Sequence, residues 1–280
     1  MKLQHYSPNT ISEYKRELSR FLKFVSDNEL DIETLEMIDI EDFIFSLEVS
    51  ELTRNRALSS IKSFYRYLHS RGIISNDPAS KVRSVRIRKK NPVFLSEEEY
   101  LILMETLMGN AEGFIGLRDK LIIAFLLTTG VRVSEIVGIE FDDISRDKDG
   151  RITIEVKRKG QEMDFVYLNN KVGKMFDEYL KERKLKQLET TRVFITYRKQ
   201  PIDRTAIYRV VKKYLNMSGI DKKKMGPHVL RHTFATALMR KNISIYKIKE
   251  LLNHKNISTT EKYLHLAEDD LRSVVENIDF

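Results

Sequence analysis

The amino-acid sequence predicts a mainly α protein with a small antiparallel β-sheet, in two domains: a helical N-terminal domain and a larger α+β domain. Three observations point there. Glycine and proline supply only 16 of 280 residues, roughly half the usual share, so most of the chain lacks the residues that interrupt helices. Apolar residues recur at helical spacing through most of the chain, and strand-like alternation is confined to one stretch, 152–168. A basic, apolar-poor run ending in Asn91-Pro92 separates the two parts.

Each element has its own signal. Ser7-Pro8 opens the first helix, with serine as cap and proline at the first helical position. Tyr14, Leu18, Phe21, Leu22 and Val25 then share a face. Asp31–Leu47 reads as one or two short helices. Thr53 reads as the cap of another, with Ile61, Phe64, Tyr65 and Leu68 on its apolar face. Its opposite face carries Arg56, Ser59, Lys62 and Arg66 and no acid. Gly72 and Asn76-Asp77-Pro78 end this helical unit. Lys81–Lys90 then holds six bases, Lys81, Arg83, Arg86, Arg88, Lys89 and Lys90, which reads as an exposed linker.

Beyond the linker, Ser96 followed by Glu97, Glu98 and Glu99 is a helix start, with acids where the helix dipole favours them. Leu117–Thr128 is a buried helix stopped by Gly130. Asp147–Gly150 is a turn, Ile152, Ile154 and Val156 form a strand, Lys159-Gly160 is a second turn and Phe165–Leu168 a second strand. From Lys171 on the pattern is helical, with breaks at Pro201, Ser218-Gly219 and Gly226-Pro227. The expected domains are 1–86, a linker at 87–92, 93–265, and a tail helix at 266–280.

Composition excludes several classes of function. The hydrophobic share is 41%, enough for a real core. There is no cysteine, which excludes disulfides, thiolate metal sites and a cysteine nucleophile. The longest apolar run, Leu121–Leu127, is far short of the roughly 20 residues a membrane span needs. Met1–Ser7 lacks a signal-peptide core. A cytoplasmic location is expected. Lys and Arg number 49 against 41 Asp and Glu, a net +8. The last fifteen residues are acidic, so the basic excess lies in the rest of the chain. A basic body fits a polyanionic partner, and it equally fits simple solubility. The basic face of the Thr53 helix likewise fits either a nucleic-acid backbone or solvent.

Three segments carry residues suited to chemistry. In Pro227-His228-Val229-Leu230-Arg231-His232, His228 and Arg231 are three apart and share a face at a helix N-terminus, where backbone N–H groups favour an anion. The pair forms either a phosphate seat or a capping histidine beside a surface arginine. His228 and His232 also have zinc-ligand spacing, but Arg231 between them and the missing acid of HExxH argue against a metal. In Thr129-Gly130-Val131-Arg132-Val133-Ser134-Glu135, Arg132 follows an apolar run and so needs an anionic partner. Glu135 either is that partner or holds Arg132 toward an external phosphate. The third segment, Leu251–His254 and then Ser258–Tyr263, is a helix end, a polar loop and a helix bearing Tyr263.

In order, TGVRVSE, RKG, HVLRH, LLNH and STTEKYLH resemble the motifs of the tyrosine site-specific recombinases, and most of all the Xer recombinases that resolve chromosome dimers. The resemblance covers essentially the whole chain, its N-terminal part being similar to the family's core-binding domain. It implies that Arg132 and Arg231 clamp the scissile phosphate, that His228 and His254 donate hydrogen bonds or move protons, and that Tyr263 is the nucleophile. The turn lysine would be the general acid; the lysine-glycine pattern selects Lys159, with Lys157 in reserve. Asn253 and Arg158 stand where the family usually has glycine.

The physics of the implied reaction agrees. Cations stabilise the charge that builds on phosphate oxygens, and a positioned lysine makes the 5′-oxygen a better leaving group. The product, a covalent 3′-phosphotyrosine, retains the energy of the phosphodiester. No ATP, cofactor or metal is expected.

The resemblance further implies a clamp around double-stranded DNA, dimers on one site and tetramers on two, and no membrane partner. Candidate DNA-binding residues are Arg56, Lys62, Arg66, Arg86, Arg88, Lys89 and Lys90. The tail, with Leu271, Val274, Val275 and Ile278 at helical spacing and a net −4 charge, would dock on a neighbouring protomer. Alternatives are an integrase of a phage or mobile element, a type IB topoisomerase, or a DNA-binding protein without catalysis; no separate N-terminal arm-binding domain is read. An activating partner ATPase is left open.

Overall fold

The computed structural model describes residues 8–87, 91–157, 163–186, 188–223, 225–252, 257–261 and 263. The chain divides into two compact units, Met1–Lys90 and Asn91–Phe280.

The first unit is helical. α1 (Pro8–Asp27), α2 (Met37–Ser46) and α3 (Glu51–Ser70) bury Phe21, Val25, Ile40, Phe43, Ile44, Leu58, Ile61 and Tyr65 between them. Phe21 meets Phe43 edge-on with ring centroids 5.2 Å apart. The Tyr65 hydroxyl reaches the carbonyl of Ile32 at 3.3 Å, as a buried phenol requires. Of the expected one or two helices in 31–47, one forms. The cap of α3 is Ser50, not Thr53. Ser50 has extended backbone angles and its hydroxyl accepts from the Thr53 N–H, so the helix starts two residues before Thr53. Lys62 is half-buried and Arg56 and Arg66 are exposed.

Beyond α3 the basic segment returns to the helix. The Asn55 carboxamide donates to the Val85 carbonyl and accepts from the Val85 N–H, both at 2.8 Å. Lys62 donates to the Ser80 carbonyl at 3.4 Å.

The second unit is built on α5 (Gly113–Thr128), which is buried on all sides and therefore shows no amphipathic stripe. α4 (Glu97–Asn110) has the expected start: Ser96 and Glu99 form a capping box. α6 (Val133–Gly138) follows α5 after a four-residue linkage, Thr129 to Arg132, that includes Gly130. The sheet has three antiparallel strands in the order β1 (Ile144–Arg146), β2 (Ile152–Lys157) and β3 (Met163–Tyr167). Ile154 pairs with Ile144 on one side and Val166 on the other. β1 escaped the sequence pattern because it is three residues long with only Ile144 apolar, too short for alternation to register.

α7 (Asn170–Leu185), α8 (Arg204–Met217) and α9 (Pro227–Arg240) complete the core with α5. Phe125 sits at its centre, edge-on to Phe176 and Phe194. α10 (Ile245–Leu252) forms a smaller apolar cluster with the C-terminal half of α9 and with Tyr263, which follows α11 (Ser258–Glu261). Among the described residues no helix is long and apolar enough to cross a membrane.

Asn55 replaces two backbone bonds that a loop residue would otherwise lack. Its replacement by alanine strands the Val85 amide and should lower the unfolding free energy by about 1–3 kcal/mol, read as a shift of the urea midpoint.

Candidate active site

Two of the residues at issue, His228 and Arg231, stand in the first turns of α9. Gly226 precedes Pro227, whose ring suits the first turn. The helix is anchored from outside where the Leu95 N–H donates to the Thr233 hydroxyl at 2.9 Å. On this helix His228 is exposed and Arg231 is buried.

Arg231 is 7% exposed. Its Nη1 donates to the Gly130 carbonyl, and its Nη2 donates to the Leu252 carbonyl at 2.5 Å. A buried charge needs such partners. The two carbonyls belong to the turn after α5 and to the end of α10, so one guanidinium joins three elements. The turn itself depends on glycine. Gly130 has φ +62, and a Cβ there would lie 2.6 Å from Phe234 and 2.7 Å from Leu252.

Arg132 stands two residues beyond Gly130, at the N-cap of α6. Glu135 holds it twice. The carboxylate accepts from the Arg132 N–H at 2.8 Å and from its Nη1 at 2.9 Å. The Glu135 side chain is buried, while that of Arg132 keeps 39% of its surface exposed. Glu135 is therefore the internal partner of Arg132, and the guanidinium still has surface to offer an external anion. Arg231 bonds the carbonyl of the residue two before Arg132.

Tyr263 follows α11, its N–H donating to the Thr260 carbonyl at 3.0 Å. The tyrosine lies just past the short helix Ser258–Glu261 rather than within a helix as read from sequence. It is fully buried against Ala235, Met239, Ile248 and Leu252. Its hydroxyl is 2.5 Å from Nδ1 of His232. Burial pushes the phenol up to about 12, opposed by the charge of Arg231 nearby. The guanidinium and the phenol thus share one electrostatic environment.

A cleft beside this cluster is lined by Gly130, Val131, Phe165, Tyr167, Arg231 and Leu251, among others. It places β3 of the hairpin next to Arg231. Lys157 is exposed at the end of β2. Lys159 and His254 lie outside the described residues, as do Arg88, Lys89, Lys90 and the tail 266–280. On the first unit, Lys62 and Arg66 line a polar recess with Tyr14, Asn55 and Ser84. Arg56 and Arg86 are exposed.

Sequence reasoning weighed His232 only as one of two zinc ligands and left it out of the site. The structure bonds it to the Tyr263 hydroxyl. The i, i+1 relation to Arg231 was the available signal. Among the described residues no group of three His, Asp or Glu side chains is placed to hold a metal ion.

Comparison with known proteins follows the same lines. The sequence model of the Phage integrase family matches residues 94–270. That of the phage integrase N-terminal SAM-like domain matches residues 2–72. A protein named tyrosine recombinase XerC from Thermodesulfovibrio yellowstonii is 34% identical, over 98% of this chain and 90% of the relative. Another XerC, from Caldanaerobacter subterraneus subsp. tengcongensis, is 32% identical over 96% of this chain and 81% of the relative. The fold is that of XerH site-specific recombinase solved in a post-cleavage complex with palindromic difH substrate. The TM-score is 0.82, with 22% identity over 95% of this chain and 79% of that one. A lambda integrase dimer bound to a COC′ core site gives a TM-score of 0.71, with 19% identity and 92% of each chain covered.

Two outcomes are expected. Gly130→Ala forces a side chain into a left-handed residue and against Phe234 and Leu252, and should destabilise the second unit by more than about 1 kcal/mol; thermal unfolding measures it. The phenol of Tyr263 ionises later than a solvated one. Its raised value means the contribution to stability is complete below about pH 10 and is lost as pH rises toward about 12. Phenolate absorbance of the protein minus that of Tyr263→Phe should show a late-titrating group.

Proposed function

The chain belongs to the phage integrase family, and from that premise we propose that it is a Xer-type recombinase acting at a specific DNA site through Tyr263 and resolving chromosome dimers. As a member it is a tyrosine recombinase, an enzyme that cuts and rejoins DNA. Near full-length similarity to proteins named XerC supports the Xer-type role. The observation that carries the residue-level reading is the Tyr263 hydroxyl lodged on α9 in the field of Arg231, with Arg231 bonded beside Arg132.

In this reading the scissile phosphate sits between Arg132 and Arg231. A guanidinium is a permanent cation and matches a phosphate in shape. The tyrosine oxygen bonds to phosphorus, the bond from phosphorus to the 5′-oxygen breaks, and that oxygen takes a proton from Lys159, with Lys157 in reserve. His228 and His254 donate to the phosphate as charge builds on it. The intermediate is a 3′-phosphotyrosine, and a 5′-hydroxyl from another strand reverses the steps, so no external energy source enters.

The first unit supplies the DNA contacts proposed for Arg56, Lys62, Arg66, Arg86, Arg88, Lys89 and Lys90. Asn55 pins the basic segment to α3, so two elements present charge together. The active form is a dimer on one site and a tetramer on two, the tail 266–280 docking between protomers. The cytoplasm is where such DNA is met.

Incubation with a nicked suicide duplex carrying the selected site should give a denaturation-resistant protein–DNA adduct, absent in Tyr263→Phe. Recombination between two sites then separates a recombinase from a topoisomerase. Joint replacement of Lys62 and Arg66 by alanine should weaken binding to all sequences alike and flatten the dependence of log affinity on log salt by about 1–2. An unchanged salt slope would remove these residues from the DNA interface.

A further inference from the structure

We propose that His232 is a further catalytic residue, the base that takes the proton from the Tyr263 hydroxyl as that oxygen becomes the nucleophile. The proposal rests on Tyr263 being the nucleophile, as read above.

Nδ1 of His232 and Oη of Tyr263 are 2.5 Å apart, with the ring centroids 5.7 Å apart and the planes tilted by 58°. That is hydrogen-bond reach on the reacting atom, the first requirement of a general base. The imidazole is also held rigidly. His232 sits inside a 14-residue helix between two anchored neighbours, Arg231 on the carbonyls of Gly130 and Leu252 and Thr233 on the Leu95 amide. The imidazole is carried on a fixed element, which is how catalytic geometry is kept.

The phenol also needs a proton acceptor. Tyr263 exposes no surface to solvent, so water is not at hand to accept its proton. Burial holds the phenol protonated far above neutrality, and the charge of Arg231 offsets that only in part. A nucleophile so placed requires an acceptor already in contact. An imidazole, with an ordinary value near 6.5, is matched to that task at neutral pH. His232 is only half-buried, so a proton it takes can pass on to solvent.

The balance is simple. In the tautomer with the proton on Nε2, Nδ1 accepts the phenolic hydrogen. The proton moves to Nδ1, giving imidazolium beside phenolate. The phenolate oxygen bonds to phosphorus, and the proton on the departing 5′-oxygen comes separately from the lysine. On rejoining, the imidazolium returns its proton to the leaving phenolate. The surroundings suit the pair. α9 contributes the cation Arg231 and, one turn earlier, the exposed His228. α10 contributes the apolar Ile248 and Leu252, while its Lys247, Lys249 and Glu250 are not buried. Glu261 on α11 is exposed.

The test is single-turnover adduct formation by the full chain on the suicide duplex at saturating DNA, measured against pH. His232→Asn keeps an acceptor near the position of Nδ1 but cannot take a proton. It should bind DNA as the unchanged protein does and form adduct about 100-fold more slowly at neutral pH. The deficit should shrink as rising hydroxide takes over the proton. His232→Ala should lose at least as much; if it fails to fold, the asparagine variant decides. A wild-type rate in His232→Asn would reduce the contact to positioning, and a faster rate in His232→Ala would make it a restraint on the phenol. Either result overturns the proposal while leaving Tyr263 as nucleophile. An adduct that persists in Tyr263→Phe would instead overturn the underlying reading.

Discussion

The buried guanidinium of Arg231 is the interaction on which the second unit's chemistry depends. Removing a charge from water costs several kcal/mol unless polar groups replace the lost hydration. Here two carbonyls do so, one on the turn after α5 and one at the end of α10. The requirement that the charge be satisfied therefore fixes how three elements meet. It also explains why the turn holds a glycine in a left-handed conformation with no room for a side chain. Three of the described residues proposed for the site lie close to this junction. Arg132 is two residues past one carbonyl, His228 is one turn back on the helix, and Tyr263 is packed against the next residue, His232.

Among the described residues the unit buries two other arginines. Arg118 pairs with Asp119 at 2.6 Å and donates to the Ile195 carbonyl. Arg183 donates to the carbonyls of Thr190 and Arg192 beneath the ring of Phe141. Both place a guanidinium inside the core, Arg183 with its Nε left without a hydrogen-bond partner, far in sequence from any histidine or tyrosine of the motifs. Burial of an arginine is thus a structural device throughout this unit. At Arg231 alone it coincides with a helix start, two histidines and a phenol.

A buried tyrosine is poorly suited to be a nucleophile by itself, since the same desolvation that packs it also holds its proton. Arg231 lowers that cost through space, and His232 offers the proton a destination. The phenol is thereby enclosed and provided for in the same pocket. The polar recess on the first unit follows a similar economy. Asn55 substitutes for strand-like pairing, so Val85, in a basic segment without strand pattern, is still held to α3.

How much of this was legible in the amino acids differs by element. The capping box at Ser96, the end of the buried helix at Gly130, the hairpin of β2 and β3 and the helix starting at Pro227 all followed from local rules, because caps, turns and periodicity act within a few residues. The motif order identified Arg132, His228, Arg231 and Tyr263 as candidates, since spacing and residue type survive in a linear string. Three features did not follow. Ser50 rather than Thr53 caps α3 because both are good caps and only backbone geometry separates them. β1 is too short to show a period. The bond between His232 and Tyr263 joins distant parts of the chain, and a histidine's partner is chosen by packing, not by its neighbours in sequence. The sequence alone determined which chemical groups are present and which helices carry them. Only the tertiary structure decided which of those groups touch, because contact across a long loop depends on how buried charge and apolar surface are satisfied together.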